Sequence, residues 1–459
     1  MEYTLTCLEQ VYGRICAHVV SAGDDEAAGF LFAKTSRTEN ETRFIAREFW
    51  PVKEEHVLSR SKDHISIESE SYCRALQFAD ESNQSFCFFH SHPQGASDFS
   101  SRDNAEEPPL FKTAFIRAPR VFAHGSLVLP RNGEPFGRMW LVDGKSVPLK
   151  RIRIIGRRFH LVDRVRDDAP IPIFFARQVR AFGEDIQRLL GRLHVGIVGC
   201  GGTGSAVFEQ VVRLGVGQIS IFDPQAFEKS NVNRVYGSTV DDEGKPKVKI
   251  MQRSLAAVGL PAALRIFESS IYRKNTALRL RDCDLIFGCT DDEFGRSILN
   301  QLALRYAIPV FDLGVKIDSD GEVIRSVTGR VTTLYPGAAC LFCRDRITVQ
   351  RVAEESRAFF NPEESQALIK EGYVRELRLT DPAVIPFTTT VASSAVTELL
   401  NRLTGFMGDQ HQSTEIIHLF DQTELRRNSV ASLPDCQCAN PSVLGTGDCR
   451  DYLGMLWGD

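Results

Sequence analysis

The chain of 459 residues lacks the features of a membrane protein, a secreted protein or a nucleic-acid-binding protein. No apolar run reaches the roughly 20 residues that a helix needs to cross a bilayer. The first ten residues, MEYTLTCLEQ, lack the basic and apolar regions of a signal peptide. The formal net charge is only −4, with 55 lysines and arginines against 59 aspartates and glutamates, so there is no basic excess to bind a polyanion. We therefore expect a cytoplasmic protein without a membrane or nucleic-acid partner.

Internal repeats and low-complexity segments are also missing, and the length suggests two or three domains that bury their cores without disulfides. The twelve cysteines are therefore expected to be reduced thiols or metal ligands. Short apolar strands alternate with helical patterns over the first 160 residues, which predicts a mixed α/β domain. The charged, proline-bearing segment between Arg164 and Pro172 predicts a domain junction.

The most informative segment runs from His194 to Asp223. A buried strand leads into a glycine turn, a helix follows, and a second strand ends at Asp223, as in a βαβ nucleotide-binding unit. The turn contains Gly199, Gly201, Gly202 and Gly204. Its bare backbone at a helix N-terminus can approach phosphate, and the carboxylate of Asp223 can accept hydrogen bonds from a ribose. We expect a nucleotide site here.

A nicotinamide dehydrogenase is an alternative for this segment, because such turns also hold NAD. Arg234, Lys247 and Asp291 argue against it, since they are not part of a dehydrogenase fingerprint.

A second constellation lies near the end of a predicted strand, at His90 and His92. Two residues at i and i+2 of a strand point the same way, so both imidazoles can reach one zinc ion, and Asp103 offers a third ligand. The fourth position stays open for water. A zinc-bound water needs a general base, for which Glu26 is the candidate, and Ser100 is a candidate for stabilising the oxyanion.

The pattern H-x-H, seven residues, then S-x-x-D resembles the signature of the JAMM (Mov34/MPN) metalloproteases. The segment Glu26–Leu31 resembles the glutamate-bearing segment of that family. The resemblance covers about the first 110 residues, and it implies that the three predicted ligands hold zinc, that Glu26 is the acid/base and that Ser100 assists the tetrahedral intermediate. Over Phe111–Asp163 only a strand-like apolar pattern remains. Unliganded surface histidines, or a silent domain that only recruits a partner, are the alternatives.

Five segments between about 170 and 400 resemble the ThiF family, which includes ubiquitin-activating enzymes and molybdopterin-synthase adenylating enzymes. These are the amphipathic helix containing Arg177, Phe182 and Gln187, the glycine turn with the later Gly215–Gly217 turn, the S-N-x-N-R run ending at Arg234, the K-P-K-V run at 245–248, and Cys289–Asp291 with Arg296 and Asn300 behind it. The resemblance implies ATP-dependent activation of a protein's C-terminal carboxylate.

The roles that this resemblance implies are magnesium binding by Asp291, clamping of phosphate oxygens by Arg234 and Lys247, their orientation by Asn231, and ribose binding by Asp223. Arg177 matches an arginine that, in the family, reaches across a dimer to the neighbouring active site. A homodimer is therefore expected.

Two cysteine pairs, Cys340 with Cys343 and Cys436 with Cys438, lie where the family often shares a structural zinc between four thiolates. The second pair is CxC rather than CxxC, so Cys449 is an alternative ligand. A charged, helix-prone insertion spans 344–381, and no cysteine lies from Arg344 through Asp435, where ubiquitin-activating enzymes place their thioester-forming cysteine. We expect this enzyme to hand on the acyl-adenylate.

The sequence thus predicts an α/β protein with a JAMM-like zinc metalloprotease domain at 1–165, a Rossmann-like ThiF adenylation domain with a mostly parallel sheet at 170–435, and a tail at 436–459. Its expected function is adenylation of the C-terminal glycine of a ubiquitin-like protein, which the zinc peptidase would process or deconjugate. Activation of a sulfur carrier is the alternative. Bacterial ubiquitin-like operons, some resembling antiphage defence systems, and sulfur-carrier pathways both pair these activities. Expected cofactors are ATP, Mg²⁺ and Zn²⁺, and expected further partners are a conjugating enzyme or a sulfur donor.

Overall fold

The computed structural model describes residues 1–165, 169–370, 382–408, 410, 413–448, 451–455 and 457. They fall into two compact units, bounded as Met1–Asp167 with Leu444–Cys449 and as Asp168–Val443 with Arg450–Asp459. Among the described residues, every helix is too short or too polar to cross a lipid bilayer.

The described residues of the first unit form one large sheet, one hairpin and three α-helices. Its elements are β1 (Glu2–Leu8), α1 (Glu9–Ala22), β2 (Ala28–Arg37), β3 (Glu41–Pro51), β4 (Val57–Ser61), β5 (His64–Ile67), α2 (Ser69–Ser82), β6 (Ser85–His92), α3 (Ser101–Arg117), β7 (Ala123–Pro130), β8 (Phe136–Leu141), β9 (Ser146–Pro148), β10 (Arg151–Ile155) and β11 (Phe159–Asp163). The strand order is β11-β10-β1-β3-β2-β6-β7-β8-β9, with parallel and antiparallel pairs, and β4-β5 form the hairpin. The predicted mixed α/β domain is confirmed.

Aromatic side chains fill the core between this sheet and two of its helices. Phe30 and Phe32 of β2 and Phe86 of β6 pack with residues of α2 and α3, among them Phe111. The antiparallel register of β2 and β6 puts Ala28 opposite His90. Glu26, two residues before β2, therefore lies at the end of β6 where the two histidines stand.

The structure differs from the expected strand-like pattern at Phe111–Arg117, which is the last part of α3. Phe111 and Ala114 are three residues apart, so on a helix both face the core, where both are buried. The helix also contains Pro108 and Pro109, which lack the N–H that would bond to the turn before them. Burial of this apolar face offsets that loss.

The second unit has one eight-stranded sheet. Its elements are α4 (Ala176–Phe182), α5 (Glu184–Arg192), β12 (His194–Val198), α6 (Gly202–Leu214), β13 (Gln218–Phe222), α7 (Lys247–Val258), β14 (Ala263–Phe267), α8 (Lys274–Ala277), β15 (Leu285–Gly288), α9 (Glu293–Tyr306), β16 (Val310–Ser319), β17 (Ile324–Leu334), α10 (Val349–Phe360), α11 (Pro362–Lys370), α12 (Ile385–Thr404), β18 (Glu415–Leu419) and β19 (Glu424–Asn428). The order is β14-β13-β12-β15-β16-β17-β18-β19. The first five strands are parallel and the last three continue antiparallel.

This topology confirms the Rossmann-like, mostly parallel sheet. The strand order places β12 between β13 and β15, so the loops that leave these three strands meet at one edge of the sheet. That edge is where open α/β sheets bind ligands. The glycine turn follows β12, Asp223 follows β13, and Asp291 lies in the loop after β15.

The single amphipathic helix expected around Arg177 is instead two helices, α4 and α5, that meet at Gly183. Gly183 has φ +86°, a conformation in which an α-helix cannot continue and which favours glycine. A helical spacing of apolar residues does not reveal one residue with a positive φ, so the sequence pattern predicts a single helix across this break.

We predict that Gly204→Ala lowers the free energy of unfolding by about 1–3 kcal/mol, the usual range for overpacking. A β-carbon at 204 would overlap the Gly199 carbonyl, because α6 packs directly on the glycine turn. Gly201→Ala is the matched control in the same turn, where an added β-carbon meets no atom within 4 Å. Denaturant unfolding followed by circular dichroism should separate the two variants. Equal unfolding midpoints would contradict the close packing.

Candidate functional site

The two histidines and the aspartate of the first unit form one compact cluster. His90 Nε2 lies 3.1 Å from His92 Nε2 and 3.2 Å from Asp103 Oδ1, and His92 Nε2 lies 3.5 Å from Asp103 Oδ2. A zinc ion about 2.0–2.1 Å from each of three tetrahedral ligands would separate their atoms by about 3.3 Å. The three distances lie on both sides of this value, so this donor set fits zinc.

The position of Asp103 follows from a capping box at the start of α3. Ser100 is the N-cap residue, and its Oγ accepts a hydrogen bond from Asp103 N at 3.1 Å. Asp103 Oδ2 in turn accepts from both Ser100 N and Ser100 Oγ, each at 2.7 Å. The hydroxyl expected to stabilise an oxyanion is thus engaged in orienting the carboxylate, a role that the S-x-x-D spacing could have suggested.

Glu26 is buried beside this cluster. The next residue is fixed to β6, because Ala27 N donates to Ser91 Oγ and Ser91 N donates to Ala27 O, both at 2.9 Å. Burial raises the pKa of Glu26 above its usual value, against the opposing charges of His90 and His92. Burial would also raise the pKa of Asp103, but hydrogen bonds from the two histidines outweigh it and hold that pKa far below its usual range. Two nearby carboxyl groups thus favour different protonation states, an arrangement suited to an acid/base and a ligand.

At the edge of the second sheet, Asp223 is tied to the glycine turn. Its Oδ2 accepts from Cys200 N at 2.6 Å and its Oδ1 from Gln225 N at 2.8 Å. Burial raises the pKa of Asp223, and the charge of Lys247 opposes the rise. Lys247 is the first residue of α7 and is buried, and its Nζ donates to Gln225 Oε1 at 2.6 Å. No sequence pattern pointed to Gln225.

Arg234 lies across the N-terminus of α6. A β-carbon added at Gly202 would be 3.3 Å from its Cγ and Cδ, and its Nη1 donates to Ser230 O at 2.6 Å. Asn231 is buried in the short helical turn before it and accepts a hydrogen bond from Glu228 N at 3.2 Å. A guanidinium at a helix N-terminus, where backbone N–H groups already favour anions, suits phosphate binding.

Two adjacent aspartates after β15 have different surroundings. Asp292 caps α9 and accepts hydrogen bonds from Gly295 N and Thr290 Oγ1. Asp291 is exposed and lies at the same edge of the sheet as Asp223, whose raised pKa its charge helps to cause. Asp291 is therefore the one available to a cation.

Arg177 stands apart from this set. It is exposed on α4, and among the residues the structure describes no contact joins its side chain to the other predicted site residues.

The four predicted cysteines form a third cluster. Their Sγ atoms lie 3.4 Å apart for Cys340 and Cys436, 3.5 Å for Cys343 and Cys438, and 3.9 Å for Cys340 and Cys343. Tetrahedral zinc about 2.3 Å from each thiolate would separate them by about 3.8 Å. The hydrogen bond between Cys340 and Cys438 lowers the pKa of Cys438 and raises that of Cys340. The four thiols are close enough to hold one metal ion. Cys449 lies outside the described residues.

Both units match known protein families. Residues 175–440 match the ThiF family, and residues 8–132 match the prokaryotic homologues of the JAB domain. The sulfur carrier protein adenylyltransferase of Thermus thermophilus is 29% identical over 141 residues, which are 31% of this chain and 52% of that protein. Ubiquitin-like modifier-activating enzyme 5 of Dictyostelium discoideum is 28% identical over 167 residues, 33% of this chain and 41% of that protein.

The chain thus spans about half the length of the curated relatives it matches. The crystal structure of E. coli MccB with MccA-N7isoASN aligns with a TM-score of 0.46 and 17% identity, covering 60% of this chain and 76% of MccB. Because the ThiF match covers more than half of its residues, with a JAB-related region before it, this chain belongs to the ThiF family.

Proposed function

We propose that the second unit adenylates the C-terminal carboxylate of a small protein with an accessible C-terminal glycine. One observation carries this proposal: a glycine turn, a buried carboxylate, two cationic side chains and an exposed aspartate converge at the carboxyl edge of a parallel sheet. Relatives are named as adenylyltransferases of sulfur carrier proteins and as activating enzymes of ubiquitin-like modifiers, which supports this class of substrate.

ATP suits the groups at this edge. Both oxygens of Asp223 are oriented by backbone N–H groups, and their remaining lone pairs can accept from ribose hydroxyls. The N-terminus of α6 offers backbone N–H groups to the phosphates, with Arg234 beside them. Lys247 adds a second positive charge, Asn231 orients the phosphates, and Asp291 holds magnesium.

The reaction then needs little covalent chemistry from the protein. An oxygen of the substrate carboxylate attacks the α-phosphorus, the bond from that phosphorus to the oxygen bridging to the β-phosphate breaks, and pyrophosphate leaves with the bond electrons. The product is a mixed anhydride between the C-terminal glycine and AMP. Arg234 and Lys247 stabilise the charge that moves onto the leaving group.

We propose that this adenylate is handed to an acceptor thiol or a sulfur donor on another protein. The sequence has no cysteine from Arg344 through Asp435. Burial raises the pKa of Cys200 and of Cys289, the two thiols nearest the glycine turn, so neither is a ready nucleophile. Conjugation by a further enzyme and sulfur transfer share this first step, and the partner's identity separates them.

The unpaired, exposed position of Arg177 supports a homodimer in which this residue completes the site of the second copy. Its positive charge has no acceptor among the described residues of its own chain. An arginine delivered from outside would add to the two cations that already face the phosphates.

We propose that the first unit is a zinc peptidase that trims or releases the same partner after its terminal glycine. Zinc held by His90, His92 and Asp103 would lower the pKa of a bound water and polarise the scissile carbonyl. Glu26, with its raised pKa, would take a proton from the attacking water and give it to the leaving amine. A domain that only recruits the partner is the alternative.

We predict that ATP–pyrophosphate exchange occurs only when a ubiquitin-like or sulfur-carrier protein ending in glycine is present. Asp291→Ala should reduce this exchange at least about 100-fold, because a magnesium ligand at the reacting phosphates is lost. Asp241→Ala, which removes an exposed carboxylate from the short helical turn Val240–Asp242, is the control and should keep the wild-type rate. Undiminished exchange in Asp291→Ala would remove this residue from the magnesium role.

Glu26→Gln should keep zinc in the first unit but slow cleavage of an extended or conjugated partner by about 100-fold or more, because the amide cannot accept the proton. In the wild type, cleavage should fall as the pH drops through the raised pKa of Glu26, since only the carboxylate form acts as the base. Glu55→Gln changes an exposed side chain and is the control. Metal analysis with rates across pH checks both points, and wild-type cleavage by Glu26→Gln would refute the assignment.

A further inference from the structure

A buried ionic network lies behind the histidine–aspartate cluster of the first unit. Glu107 of α3 is only 3% exposed. Its Oε2 accepts hydrogen bonds from Arg138 Nε at 2.7 Å, Trp140 Nε1 at 2.8 Å and Ser126 Oγ at 3.0 Å. The network thus joins the inner face of α3 to β7 and β8.

Arg138 also holds both ends of the turn that carries Asp103. Its Nη1 donates to Asn104 Oδ1 at 2.6 Å, directly after the aspartate. Its guanidinium carbon lies 3.8 Å from the ring centroid of Phe99, directly before the N-cap Ser100. A planar group that bonds at one end of a turn and stacks at the other restricts the whole turn.

Aromatic contacts connect Arg138 and Phe99 to His92. The ring of Phe99 meets Phe136 edge to face at a centroid distance of 5.2 Å, and Phe136 meets the His92 ring in the same way at 5.9 Å. Arg138 therefore supports two of the three candidate zinc ligands from one side.

Two features indicate that this network does more than stabilise the fold. Pro108 and Pro109 have no N–H to donate to the carbonyls of Asn104 and Ala105, so the first turns of α3 lack two backbone hydrogen bonds. Glu107 Oε1 and Arg138 Nη2 are buried without a hydrogen-bond partner among the described residues. A buried ion pair with unbonded polar atoms adds little to the stability of the fold, but it can fix the positions of the residues that it joins.

We propose that Arg138 is a positioning residue for the zinc site. Together with Glu107, Asn104 and Phe99, it holds Asp103 and His92 at the spacing that fits the ion. The proposal rests on the proposed zinc binding of the first unit. It assigns the retention of metal to a side chain that touches neither the ion nor the substrate.

The test measures zinc retained by the full chain after dialysis against a graded series of chelator concentrations. His90→Ala removes a ligand and thereby defines the zinc that the four-cysteine cluster keeps. Arg138→Met combined with Glu107→Gln removes both charges together, so neither is left buried and unpaired. This double variant should lose the His90-dependent zinc at a 10- to 100-fold lower chelator concentration than the wild type, the usual effect of losing an outer support of a metal ligand.

Two further variants separate positioning from folding. Arg102→Met removes an exposed arginine of the same helix, paired with Glu106, and should retain zinc as the wild type does. Arg138→Lys keeps the charge, but an ammonium cannot bond to Glu107 and Asn104 while lying flat on Phe99, so it should lose zinc early although it folds. Circular dichroism checks folding of every variant.

The inference is overturned if the folded double variant or Arg138→Lys keeps zinc to the same chelator concentration as Arg102→Met. If the wild type and His90→Ala hold equal zinc at every chelator concentration, there is no zinc at the histidines. That result would rule out the proposed peptidase site and this inference with it. It differs from the first outcome, in which the histidines hold zinc but Arg138 does not position the ligands.

Discussion

The hydrogen bond from Cys200 N to Asp223 Oδ2 joins the glycine turn to the end of the neighbouring strand. It fixes the turn and the carboxylate proposed to bind the ribose with one contact, and the parallel pairing of β12 and β13 aligns the ends of the two strands that carry them. Because Gly199 and Gly204 pack backbone against backbone, α6 begins directly above this contact. The groups proposed to bind the phosphates lie around this point.

Both proposed active sites rely on backbone caps to leave a carboxylate in the right place. In the first unit, the Ser100 cap engages one oxygen of Asp103 and leaves the other toward His90. In the second, Asp292 caps α9 and leaves the adjacent Asp291 exposed. In each case an acidic side chain takes part in the cap of a helix N-terminus, which favours negative charge.

The sequence alone predicts features that depend on residues close together in the chain. The glycine turn and the two histidines on one strand end are local patterns, and the strand and helix periods around them predicted the α/β class. The capping box of Ser100 and Asp103 was missed, although its spacing is also local. The break at Gly183 and the helical Phe111–Arg117 were missed because one φ value and one shared apolar spacing decide them. The partners of Arg138 and Lys247 come from distant parts of the chain, 31 and 22 residues away. The approach of Cys436 and Cys438 to the first cysteine pair also depends on tertiary folding, and only the ThiF resemblance led us to expect it.

A trimming or releasing enzyme and an activating enzyme in one chain are chemically consistent, because each would act on the C-terminal glycine of the same partner. The central claim is that this glycine becomes an adenylate that leaves the enzyme without passing through one of its own thiols. The most direct measurement is mass spectrometry of a glycine-ended partner incubated with the full chain, ATP and magnesium, alongside a non-reducing gel. The account predicts a partner that carries one adenylyl group at its terminal glycine and an enzyme band that thiols do not change. A thiol-sensitive adduct between enzyme and partner, lost in a single cysteine-to-alanine variant that still forms the adenylate, would contradict it.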